Sequence, residues 1–139
     1  MESPFNEANG VFSPDERWVA YESDESGRPE VYIQTFPLTN QKIQISTGGG
    51  TQAEWSKSGS ELFYLAANRD LMAVPYRVSG TTFEPGLAKA LFAIPGNATR
   101  RAYAPARDSR RFLVPKSAEE NVAAEPVTVV LNWQATFRR

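Results

Sequence analysis

Ser13, Pro14 and Asp15 stand together in the segment "FSPDERWVAY", and a serine beside a carboxylate could take part in catalysis. The chain has 139 residues and contains neither histidine nor cysteine. This composition excludes a Ser-His-Asp triad, a thiolate nucleophile and any metal site with histidine or cysteine ligands. A general acid or base would have to be a carboxylate, a lysine or a tyrosine.

A turn explains Ser13-Pro14-Asp15 better than chemistry does. Proline fixes φ at the second position of a turn, and aspartate hydrogen-bonds to nearby backbone. The similar segment "WSKSGSELFY" keeps the turn but has no proline and no aspartate. A turn is expected to recur with altered residues in each copy of a repeat, whereas a catalytic group is not. The sequence therefore predicts no catalytic residue, no metal site and no cofactor.

Two loops have compositions that could suit a ligand. The segment "SDESGRPE" (23–30) is rich in oxygen ligands, but its spacing fits no EF-hand, so we interpret it as a hairpin loop with Gly27 at positive φ. The segment "STGGGTQ" (46–52) lacks the Gly-Lys-Ser/Thr ending that opens a helix in phosphate-binding loops. We interpret it as a crossing between strands and keep it as a minor binding candidate.

Short apolar or alternating runs dominate the rest of the chain. They are separated by turn formers and include "RWVAYES", "EVYIQTF", "KIQIST", "ELFYLAA", "LMAVPYRV", "RFLVPK" and "VTVVLNW". Many short strands at close spacing are typical of all-β proteins. The predicted strands cover 10–12, 17–23, 30–36, 42–46, 52–55, 61–67, 71–78, 89–93, 102–105, 111–115 and 127–133, and "SGTTFEPG" (79–86) is predicted to be a turn.

The strand pattern repeats along the chain. Ser13 matches Ser56 at a separation of 43 residues, and "PARDSRRFLV" gives a weaker third copy 50 residues further on. A period in the forties with about four strands per unit is typical of propeller blades. The sequence predicts a partial β-propeller of three four-stranded antiparallel blades, at about 9–46, 51–93 and 101–139, with the last blade incomplete. A two-sheet sandwich is disfavoured because sandwiches carry no such internal copy.

These repeats resemble the TolB-like, WD-type propeller repeats of bacteria. The resemblance is carried by "FSPDERWVAYESDESGRPEVYIQTFP", "STGGGTQAEWSKSGSELFYLA" and "PVTVVLNW", and more narrowly it points to the C-terminal propellers attached to bacterial serine/threonine kinases. Glu16 and Ser109 replace the customary turn glycine, and Ala106-Arg107-Asp108 replaces Ser-Pro-Asp. The chain contains no kinase motif. The resemblance implies a sensor or interaction role and is compatible with a periplasmic parent.

The function we expect is recognition of a protein or a small ligand at the tunnel mouth of the propeller, without catalysis. The candidate contacts lie on or just before the inner strands: Asn9, Gln52, Glu54, Arg100, Arg101 and Tyr103. A net charge of −1 gives the chain no overall attraction to nucleic acid, so no nucleic-acid partner is expected. No apolar run approaches the ~20 residues that span a bilayer, so no membrane insertion is expected. The alternatives are a glycosidase-like hydrolase with paired carboxylates and an accessory domain of a peptidase. Only Glu54 is an acid clearly on an inner strand.

Three blades cannot close a ring, so the first and last should expose large apolar faces. Either upstream blades cover these faces, or two copies form a homodimer of three plus three blades. In such a dimer the N-terminal "SPFNE" could supply the missing outer strand of blade three. Most aromatic residues are expected to pack between blades: Trp18, Tyr21, Tyr32, Phe36, Trp55, Phe63, Tyr64 and Trp133.

Overall fold

The computed structural model describes residues 3–37, 39, 41–96, 101–115 and 128–132. Within these ranges the chain forms twelve strands and no helix. None of these residues therefore belongs to a helix of the length and apolar character needed to cross a membrane. Arg100 and Trp133, both named in the predictions above, lie outside the described residues.

The strands form three antiparallel sheets that follow one another along the chain. Sheet one contains β1 (Glu7–Phe12), β2 (Trp18–Ser23), β3 (Glu30–Thr35) and β4 (Lys42–Gln44), in that order. Sheet two contains β5 (Gly50–Trp55), β6 (Glu61–Ala66), β7 (Asp70–Ser79), β8 (Thr82–Pro85) and β9 (Lys89–Ala93). Sheet three contains β10 (Ala104–Pro105), β11 (Arg111–Pro115) and β12 (Thr128–Asn132). We call β1, β5 and β10 the inner strands.

The turn after each inner strand is the same in all three sheets. The N–H of its first residue donates to the carbonyl that opens the next strand, from Ser13 to Trp18 (2.9 Å), from Ser56 to Glu61 (2.9 Å) and from Ala106 to Arg111 (2.8 Å). The fourth residue has a positive φ in each copy: 59° at Glu16, 73° at Gly59 and 57° at Ser109. The three turns therefore share one geometry at steps of 43 and 50 residues, and the interpretation of the chain as a repeat protein stays a prediction.

Ser13 is part of this turn and is not available as a nucleophile. It is only 3% exposed. Its hydroxyl donates to Oδ1 of Asp15 at 2.6 Å and accepts from the Trp18 N–H at 3.0 Å. The hydrogen bond from Ser13 lowers the pKa of Asp15, against a smaller opposing effect of burial. The interpretation of Ser13-Pro14-Asp15 as a turn is confirmed.

Sheet two lies between sheets one and three and packs on both. Successive side chains of a strand point to opposite faces, so Leu62 and Tyr64 of β6 face sheet one while Phe63 and Leu65 face sheet three. The first core consists of Trp18, Ala20, Val31, Ile33, Ala53, Trp55, Leu62, Tyr64, Val74 and Phe83. The second core consists of Phe63, Leu65, Leu71, Ala73, Leu91, Ile94, Ala102, Tyr103, Phe112 and Val114.

Successive antiparallel sheets stacked face to face make this an all-β chain with the architecture of a partial β-propeller. Neighbouring strands follow one another along the chain except in sheet two, where β9 pairs with the first half of β7 and not with β8. A sandwich would exchange consecutive strands between two layers, and the described strands do not do so. The sheets span 7–44, 50–93 and 104–132. The blade bounds of 9–46, 51–93 and 101–139 stay predictions.

The segment 79–86 was predicted to be a turn, and that prediction is wrong. β7 continues to Ser79 and pairs through its second half with β8. The side chain of Phe83 on β8 is buried against Trp18 and Trp55, with ring centroids 5.2 Å and 6.1 Å away. At the hairpin tip, the Arg17 guanidinium donates to the carbonyl of Gly80. The hairpin therefore fastens sheet two to sheet one.

The glycine-rich loop between β4 and β5 is held by a buried carboxylate. Glu30 is 2% exposed, accepts from the Gly49 N–H at 2.8 Å and also accepts from the Ser46 hydroxyl. Gly49 has a φ of 104°, and a Cβ there would lie 2.7 Å from the Cβ of Ala67. The loop is the predicted crossing between sheets, and the Ser46 hydroxyl and the Gly49 N–H are used internally.

The N-terminal segment is tied to its own sheet. The backbone N–H of Asn6 donates to Oδ1 of Asp24 at 3.0 Å, and its side-chain amide donates to Oδ2 at 2.7 Å. Glu7 already belongs to β1. The expectation that "SPFNE" supplies a strand to another sheet is therefore wrong for these two residues.

The aromatic residues divide between seams and outer surfaces. Trp18, Trp55, Phe63 and Tyr64 lie between sheets as predicted. Phe36 is 48% exposed and packs edge-on against Phe12 of its own sheet at 4.9 Å. Tyr21 and Tyr32 stack on each other at 5.9 Å on the face of sheet one turned away from sheet two. For Phe36, Tyr21 and Tyr32, packing between blades therefore stays a prediction.

Candidate functional site

A cleft of about 470 Å³ opens between the inner strands. Its lining comes from all three sheets or the segments leading into them: Asn9, Gly10, Val11, Gln52, Ala53, Glu54, Arg101 and Tyr103. Five of the six predicted contact residues are in this lining, and the sixth, Arg100, lies outside the described residues. Of the segment 46–52, kept as a minor candidate, Gln52 is the one residue in this lining. That these residues bind a ligand stays a prediction.

The cleft wall contains unusual backbone at three places. Asn9, Gln52 and Arg101 have positive φ values of 55°, 56° and 39°. The first two lie where the strand register shifts, between Ala8 and Val11 on β1 and between Thr51 and Glu54 on β5. Positive φ is uncommon for residues other than glycine, and such positions are frequent at binding sites. Strand periodicity gives no signal for these bulges.

Glu22 joins the inner strands of sheets one and two. Its Oε1 accepts from the Asn9 side-chain amide at 3.0 Å and from the Gln52 backbone N–H at 2.7 Å. Glu22 belongs to β2, carries no motif and was not predicted as a site residue. The only sequence signal is spacing. Glu22 lies two residues after Ala20 and four after Trp18, so its carboxylate is on the same face of β2 as these apolar side chains.

Gln52 and Tyr103 join sheets two and three. Oε1 of Gln52 accepts from the Ala102 N–H at 2.6 Å, and the Tyr103 hydroxyl donates to the Gln52 carbonyl at 2.5 Å. Tyr103 is 2% exposed. Burial raises its pKa well above the usual value, and the nearby Glu54 adds to the shift. Both residues reach the cleft, but their main polar groups already serve the seam between the two sheets.

Glu54 and Arg101 are the charged groups that the cleft offers to a ligand. Nη2 of Arg101 lies 3.9 Å from Oε1 of Glu54, with side-chain exposures of 78% and 31%. An ion pair this exposed is weak, so a ligand can compete for either partner. A group that both donates and accepts hydrogen bonds would be complementary to the two side chains together.

The described lining of the cleft can be compared with the groups that the hydrolase alternative requires. Glycosidases of the usual kind place two carboxylates across the scissile bond, and Glu54 is the single carboxylate in the described lining. Across the described residues as a whole, no cluster of three or more carboxylates could hold a metal ion.

A second cleft, of about 450 Å³, lies among the turns of sheets one and two and the outer half of β7. Asp15, Trp18, Ser58, Tyr76 and Arg77 are among its lining residues. The pKa of Tyr76 is raised to about 12, mainly by burial and further by Asp15. The carboxylate and the serine hydroxyls here make the hydrogen bonds of the two turns, so we assign this cleft no function.

Comparisons with known proteins add little to this description. No protein-family model matches the chain, and no curated protein matches it. Among solved structures, the crystal structure of TolB from Acinetobacter baumannii is similar with a TM-score of 0.44 and 14% sequence identity. The similarity covers 96% of this chain and 43% of that one, so the chain spans less than half of the TolB structure. This similarity is too low to carry an argument, so the assignment of a partial β-propeller rests on the arrangement of the three sheets. The resemblance to kinase-attached propellers stays a prediction.

Proposed function

We propose that this chain is a non-catalytic β-propeller module that recognises a protein segment or a small ligand in the cleft between its inner strands. The observation that supports the proposal is the cleft lining. Five contact residues predicted from three separate repeats border one cavity, and an exposed charged pair lies within it. Binding sites are typically concave and contain a few convergent polar groups.

The chemistry of the charged pair suggests which ligands to test first. Glu54 favours a cationic or hydrogen-bond-donating group, and Arg101 favours a carboxylate or carbonyl. A peptide end carries both kinds of group within a short distance. In a larger parent protein, such a module would act as a sensor or interaction part, as the resemblance to kinase-attached propellers implies.

The experiment follows amide chemical shifts of the ¹⁵N-labelled chain during titration. The probes are tri-alanine, which has free termini, and N-acetyl-tri-alanine amide, which has none. We expect tri-alanine to shift the resonances of Asn9, Glu54 and Tyr103 and to bind more tightly than the capped peptide. Perturbations that leave these residues unchanged would contradict the proposed site.

Arg101→Ala tests the site directly, and Arg77→Ala on the outer half of β7 is the matched control. We expect Arg101→Ala to weaken tri-alanine binding by about fivefold, since exposed charge pairs contribute up to about 1 kcal/mol. Its melting temperature should remain that of the parent. Equal affinities of the two variants would count against the role of Arg101.

Gln52 was predicted to contact the ligand, but its side chain also joins sheets two and three. Truncating Gln52 to alanine removes the acceptor of the Ala102 N–H, so the variant should lose about 1–2 kcal/mol of stability. A loss of binding in that variant would therefore not separate ligand contact from seam packing. Arg101, with 78% side-chain exposure, avoids this ambiguity.

The hydrolase alternative can be examined with a panel of chromogenic glycosides. We expect no release of chromophore above that of a Glu54→Gln variant. Turnover that disappears in Glu54→Gln would favour the carboxylate-dependent reading over recognition.

A further inference from the structure

The two outer faces of the stack have the residue pattern of seams between sheets. We call the face of sheet one that is turned away from sheet two the head face, and Phe12, Val19 and Tyr21 belong to it. We call the corresponding face of sheet three the tail face, and Arg111 and Leu113 belong to it. The equivalent positions of the three sheets follow from strand register, because Val11 pairs with Ala20, Glu54 with Phe63 and Ala104 with Leu113.

Head-face residues are exposed where their equivalents are buried. Phe12 is 53% exposed, while Trp55 at the same position of β5 is 6% exposed. Val19 is partly exposed, while its equivalents Leu62 and Phe112 are fully buried between sheets. Large side chains at these positions are buried wherever a preceding sheet is present. The head face therefore has the composition of a seam that lacks its preceding sheet.

Tail-face residues are also exposed where their equivalents are buried, and here the equivalents pack on the sheet that follows. Leu113 is 41% exposed, while its equivalents Ala20 and Phe63 are fully buried against the following sheet. Leu113 and Phe12 are two of the five large apolar side chains exposed among the described residues. On the head face, Tyr32 is covered by Tyr21 and Lys42 of its own sheet.

The balance of acidic and basic residues changes along the chain. Residues 1–46 contain eight acidic and three basic residues, 47–96 contain four of each, and 97–139 contain four acidic and eight basic residues. The first third is therefore acidic, the middle is neutral and the last third is basic. At the head face, Glu7 and Glu25 lie close enough to Tyr21 to act on its hydroxyl electrostatically, and Lys42 pairs with Glu25. Arg111 belongs to the tail face, and opposite charges at two faces favour their association over the pairing of like faces.

We propose that two copies of this chain associate head to tail. The tail face of each copy packs on the head face of the other, which closes a ring of six sheets about a two-fold axis. The second copy contributes three more inner strands, so the open side of the cleft becomes the wall of a tunnel. This inference does not depend on ligand binding, and its failure would leave the proposed recognition site of a single copy untouched.

Sedimentation equilibrium measures the association directly. We expect a species of twice 15.4 kDa at micromolar concentration in 20 mM NaCl, with weaker association in 500 mM NaCl because salt screens the complementary charges. A monomer under both conditions up to 200 μM would overturn the proposal and leave the two faces to a neighbour of another kind. Growth to larger species without a limit would mean an open head-to-tail fibre and would contradict the closed ring.

Two variants, one for each face, test which surfaces meet. Phe12→Asp alters the head face and Leu113→Asp alters the tail face, while Leu87→Asp is the matched control because Leu87 is 92% exposed and lies on neither face. We expect each face variant to weaken association by at least about tenfold, because a charge would be buried in both seams. Leu87→Asp should associate like the parent. Arg111→Glu provides a milder tail-face change if circular dichroism shows that Leu113→Asp has not folded.

A mixture of the two face variants distinguishes head-to-tail pairing from pairing of like faces. A heterodimer of Phe12→Asp with Leu113→Asp has one unaltered seam and one doubly altered seam, so the mixture should associate more strongly than either variant alone. If tail faces paired with tail faces, Phe12→Asp alone would remain a dimer and mixing would bring no gain. That result would overturn the proposal.

Discussion

Residues whose types suggest chemistry are used here mainly to hold sheets and turns together. The Ser13 hydroxyl completes a turn, the Glu30 carboxylate fixes a crossing loop, and Gln52 joins two inner strands. Each of these polar groups is buried or partly buried, and a buried polar group is costly unless it is hydrogen-bonded. Glu54 and Arg101 differ because their charged groups face the cleft, and this difference makes them the groups to test for binding.

Glu61, the first residue of β6, should make the stability of the chain depend on pH. Burial raises the pKa of its carboxyl above the usual 4.5, and Lys89 offsets part of the shift. The folded chain therefore holds this proton more tightly than the unfolded chain does. The stability from this group is complete below about pH 4.5 and is lost as pH rises through the raised value.

We therefore expect Glu61→Gln to be more stable than the parent at pH 7 and to match it near pH 4. Urea unfolding at the two pH values measures the difference. Glu84→Gln, at an exposed carboxylate on β8, is the control and should change stability little at either pH. A Glu61→Gln variant that is less stable than the parent at pH 7 would show that the carboxylate has a favourable partner.

At the scale of the element, local patterns predicted most strands because their causes are local. Alternation and turn residues defined β2, β3, β6 and β11 to within a residue or two, and the repeat placed the contact residues on the inner strands. β8 was missed because Thr82-Phe83-Glu84-Pro85 has one large apolar residue and a proline. It forms because Phe83 docks on Trp18 of another sheet. The bridge made by Glu22 was missed for the same reason, since only the fold brings β2 beside β5.

The β7–β8 hairpin should contribute to stability mainly through Phe83. The side chain is 4% exposed and contacts Trp18, Trp55 and Tyr76. Replacing a buried phenylalanine by alanine typically costs about 3–5 kcal/mol, because apolar contact is lost and a cavity remains. We expect Phe83→Ala to lose about 3 kcal/mol in urea unfolding, and Leu87→Ala, one residue past the adjoining glycine, to change stability by less than about 0.5 kcal/mol. Equal effects of the two variants would mean that the hairpin does not fasten the sheets.

At the scale of the whole molecule, burial is unevenly distributed along the stack. Among the residues that the structure describes, sheet two has a core on each face, whereas sheets one and three each have a core on the face that packs on sheet two. Opening an end sheet exposes one seam, and opening sheet two exposes both. The end sheets should therefore open at lower free energy than the middle sheet, as in other stacked-repeat proteins.

Amide hydrogen exchange tests this order of opening. Measuring the exchange rates at several protein concentrations also tests whether two copies associate. We expect the amides of β6 to exchange most slowly, and those of β1 to exchange at least about tenfold faster in dilute solution. If two copies close a ring, β1 gains a second seam, so its protection should rise with protein concentration and approach that of β6. In Phe12→Asp the protection of β1 should stay low at every concentration. Equal protection of β1 and β6 in dilute solution would contradict the one-sided packing of sheet one, because an end sheet with a single core could not match a sheet held on both faces.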